Sequence, residues 1–63
     1  MREVDFNVDC LLEAGCEIKA AGVDVIITMP NHGAVRVRRD GEKLILFPER
    51  SSQAQALMAI LDE

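Results

Sequence analysis

The chain has 63 residues, 49% of them hydrophobic, with two Phe, no Trp and no Tyr, and a net charge of −4. That length allows one small domain, residues 1–63, which buries only about 60% of its unfolded surface and gains from a staple, a metal or a partner subunit. The composition excludes a disordered segment, and the longest apolar run, Val25 to Met29, falls far short of the roughly 18 residues a membrane helix needs.

The first fifteen residues carry two signals. Val4, Phe6, Val8 and Cys10 alternate with Glu3, Asp5, Asn7 and Asp9, which is the period of a strand. Val8, Leu11, Leu12, Gly15 and Ile18 instead share one side of a helical wheel. A helix running from Asn7 to Ala21 with Gly22 as its cap would put Lys19 in the middle of that side. The misplaced charge favours a short N-terminal helix ending at Gly15, while the strand reading of residues 1–15 stays open. Beyond it, 16–20 reads as a further strand folding back through Ala21-Gly22, with Lys19 opposite Asp24 and Ile18 opposite Val25. No apolar signal-peptide core is present in "MREVDFNVD".

Residues 23–29, "VDVIITM", are rich in β-branched side chains and end at Pro30, which cannot continue a central strand. Val23, Val25, Ile27 and Met29 form one apolar face. The following "PNHG" is a turn, built of residues that favour loop conformations. Strands 34–39 and 42–47 then form a hairpin. Asp40-Gly41 suits a two-residue type I′ turn, in which both positions need positive φ. That turn sets Arg39 opposite Glu42, Arg38 opposite Lys43, Val37 opposite Leu44, Arg36 opposite Ile45 and Val35 opposite Leu46. Val35, Val37, Leu44 and Leu46 then share one face, which must be the core side.

Residues 52–62 form an amphipathic helix. Ser52 stands three residues before Gln55, a capping-box spacing, and Ala54, Leu57, Met58 and Leu61 follow the helical stripe. A helix this short needs a surface to lie on, and the Val35/Val37/Leu44/Leu46 face supplies it. The predicted architecture is α+β: an antiparallel meander with a C-terminal helix and a short N-terminal one.

The meander's second face carries Ile26, Ile45 and Phe47 beside Arg36, Arg38 and Lys43. Four of the chain's seven basic residues (Arg36, Arg38, Arg39, Lys43) fall within eight positions of this hairpin. Residues 1–24 carry six acids against two bases, and residues 36–50 five bases against three acids. Such a chain is complementary to a copy of itself. Arg36, Arg38, Lys43, Ile26, Ile45 and Phe47 are therefore the candidate interaction surface, for a homo-oligomer or another protein. The alternative is an accessory protein that sets the hairpin cations on nucleic-acid phosphates. An acidic chain with a pI near 4.8 and no aromatic stacking platform fits that alternative less well.

Little points to catalysis, and the expectation is a non-enzyme without cofactor. His32 is a turn residue in "PNHG", Ser51 and Ser52 are suited to helix capping, and Cys10 lies between Asp9 and Glu13, which raise rather than lower a thiol pKa. Gly33 and Gly41 stand singly in turns, so no phosphate-cradling loop exists. Cys10, Cys16 and His32 make three ligands in no familiar zinc spacing. Two cysteines are too few for a disulfide framework and read as buried thiols in a cytoplasmic protein.

Overall fold

The computed structural model describes residues 2–61. In chain order it has β1 (Arg2–Asp5), α1 (Val8–Glu13), β2 (Glu17–Ala21), β3 (Asp24–Met29), β4 (Gly33–Asp40), β5 (Lys43–Leu46) and α2 (Ser52–Leu61). The α+β class, the meander with its fourth strand, and both helices are as predicted. The remaining strand, β1, pairs with β5 and completes an antiparallel sheet in the order β1-β5-β4-β3-β2. Position 62, the predicted end of the C-terminal helix, lies outside the described residues.

Both N-terminal signals are realised, one after the other. Asn7 holds an extended backbone, and its side-chain oxygen accepts from the Cys10 N–H at 3.1 Å, which caps the first turn of α1. Strand periodicity therefore stops at β1, and Val8 and Cys10 are helical. The helix stops where Gly15 takes φ +85°. The Gly15 and Cys16 N–H groups bond back to the Leu12 and Leu11 carbonyls, the paired bonds of a Schellman cap. A helix continuing to Ala21 is thereby ruled out.

The two tight hairpins differ from the sequence reading in the same way. Asp40 pairs with Lys43, Arg39 with Leu44 and Arg38 with Ile45, so the loop is Gly41-Glu42 rather than Asp40-Gly41. Ala21 pairs with Asp24, Ile18 with Ile27 and Lys19 with Ile26, so that loop is Gly22-Val23 rather than Ala21-Gly22. In each loop only the first residue has positive φ, Gly41 at +63° and Gly22 at +66°. This is the demand of a type II′ turn, which asks nothing unusual of its second residue, whereas type I′ would force Asp40 or Ala21 into the left-handed region. Moving a turn by one residue slips the register by two, so every side chain keeps its predicted face. Val23 and Glu42 are the exceptions, since each leaves its predicted strand for a loop, Val23 with 74% exposure. The third reversal runs through Pro30, Asn31 and His32. Asn31 has φ +68°, and the His32 N–H reaches the Met29 carbonyl at 3.3 Å, the pattern of a type II turn with Pro first.

One face of the sheet is the core. Val4, Val25, Ile27, Met29, Val37, Leu44 and Leu46 are buried there with Cys16, Leu11 of α1, and Ala54 and Leu57 of α2. Val35, Ile18, Phe6, Met58 and Leu61 pack around them. The cap of α2 is Ser51, one residue earlier than predicted: its Oγ accepts from the Ala54 N–H at 3.1 Å, and Ser52 is already helical. Gln53 is thereby placed to donate from Nε2 to the carbonyls of His32 at 2.9 Å and Ala34 at 3.0 Å. Those donations tie α2 to the turn before β4 and to the start of β4, which β5 does not reach.

Candidate functional site: the outer face of the sheet

Since both helices lie against the core side, the opposite face is open among the described residues. The alternation of β3, with Asp24, Ile26 and Thr28 half-buried between buried Val25, Ile27 and Met29, sets Ile26 on that outer face. The register adds Arg36 beside Ile26 and Ile45 between Arg38 and Glu3. Lys43 stands between Asp40 and Asp5. Arg36, Arg38, Lys43, Ile26 and Ile45 thus share one surface. Phe47 follows directly after β5 at its border, 80% exposed.

The electrostatics of this surface differ from the sequence reading. Arg38 does not oppose Lys43; the two-residue slip places it opposite Ile45, and the like-charge pair does not exist. Two of the four hairpin cations are instead matched by the chain's own acids. Arg36 Nε donates to Asp24 Oδ2 at 2.7 Å. Lys43 Nζ donates to Asp5 Oδ1 across the β1–β5 pair, and that hydrogen bond pushes the Lys43 pKa above its ordinary value. Arg39 projects from the core side of the sheet margin, where its guanidinium lies 5.1 Å from the Phe6 ring centroid and Nε donates to the Gly41 carbonyl at 2.9 Å. Of the four hairpin cations, only Arg38 has no hydrogen bond, ion pair or ring contact among the described residues. This pairing accounts for Arg36 and Lys43, whose acids sit on β3 and β1, on either side of the run.

A hollow of about 480 Å³ opens beside β4. It exists because β5 pairs with β4 over Arg38–Asp40 only, after which the chain leaves the sheet through Phe47 and Pro48. Val35, Val37, Leu46 and Ala54 line its apolar side, and Arg36, Arg38, Ile45 and Phe47 stand at its outer side. The recess offers an apolar lining, and Arg38 beside it stands opposite Asp24 in the β3–β4 register without forming an ion pair with it. Sequence pattern contains no sign of the hollow, because its cause is where two strands cease to pair.

The other candidate residues do not converge. His32 is exposed in its turn, Cys10 lies half-buried on α1, and Cys16 is buried in the core. Burial pushes the Cys16 thiol pKa up, away from the reactive thiolate. Among the described residues no group of three His, Cys, Asp or Glu side chains is placed to hold a metal ion, and no helix is long and apolar enough to cross a membrane.

No family model, curated protein or solved structure matches the chain. The geometry alone carries the functional reading.

Proposed function

We propose that the protein is a small interaction module that docks another protein on the outer face of its sheet. One observation carries this reading: an apolar-lined hollow bordered by Arg38, the hairpin cation left unmatched among the described residues. Its complement is a partner segment with an apolar side chain next to a carboxylate. Ile26, Ile45 and Phe47 extend the apolar contact, and Arg36 and Lys43, already held by Asp24 and Asp5, form its polar rim. The reading places the protein in the cytoplasm, where Cys10 and Cys16 persist as thiols.

Phosphate binding is the weaker alternative. Neutralised cations release few counterions, and Glu3, Asp5, Asp24 and Asp40 surround the ones that remain. The experiment is affinity capture with the wild type and with an Arg38→Glu, Phe47→Ser double variant. Both positions are exposed and outside the core, so circular dichroism should be unchanged. A partner that binds the wild type should bind the variant at least about thirtyfold more weakly, the loss of one interface hot spot. Equal affinity for the two proteins would refute the assignment. Nucleic acid retained by the wild type, with a steep log-linear salt dependence, would favour the alternative.

A further inference from the structure

Among the described residues the sheet has two edge strands, β1 and β2, and they differ in what they can pair with. We infer that β2 is a self-pairing edge, through which two copies of this chain join antiparallel, β2 to β2, into one ten-stranded sheet. This edge is a different surface from the docking face, and its pairing does not depend on that face.

The backbone decides which groups are available. Ala21 and Asp24 close a two-residue hairpin, so Ala21, Lys19 and Glu17 turn their N–H and C=O groups toward β3. Ile18, Ala20 and Cys16 turn theirs outward. The Cys16 N–H is already taken by the Leu11 carbonyl at 2.9 Å. What is left is the N–H and C=O of Ile18 and Ala20 and the carbonyl of Cys16. An antiparallel contact centred on Ile18 uses them: Ile18 exchanges both bonds with Ile18 of the second copy, and each Ala20 N–H meets the Cys16 carbonyl across the axis.

The side chains select the same register. Centred on Ile18, Glu17 of each copy faces Lys19 of the other, giving two opposite-charge pairs on the outer face. Centred on Lys19, the two lysines oppose each other, which is unfavourable. Neither Glu17 nor Lys19 has a hydrogen bond or ion pair of its own among the described residues, so both are available. Ile18, half-buried on the core side, meets its symmetry mate there. The β1 edge lacks this complementarity. Its outer-face residues are Glu3 and Asp5, and β1 paired with itself about Val4 or Glu3 sets acid against acid. The asymmetry of the edges closes the assembly at two copies, and the dimer carries two docking faces side by side on one continuous surface.

The test is sedimentation equilibrium of the full chain and four variants. The wild type should be a concentration-dependent dimer. Lys19→Glu and Glu17→Lys should each raise the dimer dissociation constant about tenfold or more, since every substitution is felt at two cross-strand pairs. The double swap Glu17→Lys, Lys19→Glu should restore dimerisation, a result that loss of folding cannot produce. Ile18→Pro removes an outward N–H without touching the β2–β3 ladder and should leave a folded monomer. A monomeric wild type at all concentrations, a dimer unaffected by the single charge changes, or oligomers growing past two copies through a β1–β2 contact would each overturn the inference.

Discussion

The position of the β4–β5 turn is open to a direct stability test. With Gly41 at φ +63° as the first residue of the loop and Asp40 as the last residue of β4, the two positions should respond oppositely to substitution. A Cβ at residue 41 would meet nothing within 4 Å, so Gly41→Ala carries a backbone cost and no clash. Holding an L-residue at the first position of a type II′ turn costs about 1–3 kcal/mol, partly offset by about 0.4–1 kcal/mol from the stiffer unfolded chain. The net is about 1 kcal/mol, a melting-temperature drop of about 4–8 °C in a domain of this size. Asp40→Thr should be neutral or mildly stabilising, because residue 40 is an exposed strand position where a β-branched side chain fits. Thermal and urea unfolding followed by circular dichroism measures both. In an Asp40-Gly41 turn, by contrast, the introduced threonine would be forced to positive φ. An Asp40→Thr loss as large as that of Gly41→Ala would therefore refute the type II′ assignment.

Three further outcomes follow from the packing and the titrating groups. Leu44 is fully buried on the strand between β1 and β4; Leu44→Ala should cost about 2–5 kcal/mol out of a total of about 3–9 kcal/mol for 63 residues, and an unchanged urea midpoint would contradict the core assignment. Ser51→Ala should cost about 1 kcal/mol in the same assay by removing the α2 cap, while Ser52→Ala should be near neutral, and the reverse order would place the cap at Ser52. Stability should fall as pH rises above neutrality, because Cys16, raised by burial, and Lys43, raised by its hydrogen bond to Asp5, both bind their protons more tightly when folded. Their contributions are present below the unfolded values of about 8.5 and 10.4 and are lost as pH climbs through the folded ones; a urea midpoint that rises between about pH 8 and 11 would reverse the sign.

Face and register were not equally legible in the sequence. The side of the sheet to which Val37, Arg38, Leu44 and Ile45 belong follows from alternation alone and survives any even slip, so the core and the candidate surface were readable. The turn phase was not, because a Gly directly after a charged or apolar residue, as in Asp40-Gly41 and Ala21-Gly22, satisfies either a type I′ or a type II′ loop. The choice depends on φ at Asp40 and Ala21. β1 was obscured because a four-residue strand and the first turn of a helix follow each other closely within residues 2–10, and the capping role of Asn7 divides them. The partners of the cations were hidden for a different reason. Asp5 reaches Lys43 only through the β1–β5 pairing, 38 residues apart in the chain, and no local pattern encodes that contact.

The most direct test of the docking face is a two-dimensional amide spectrum of isotope-labelled protein, recorded with and without the partner recovered by capture. Docking on the outer face predicts shifts concentrated at Ile26, Arg36, Arg38, Ile45 and Phe47, with the α1 and α2 amides little changed. Shifts confined to the helices, with the outer face silent, would contradict it.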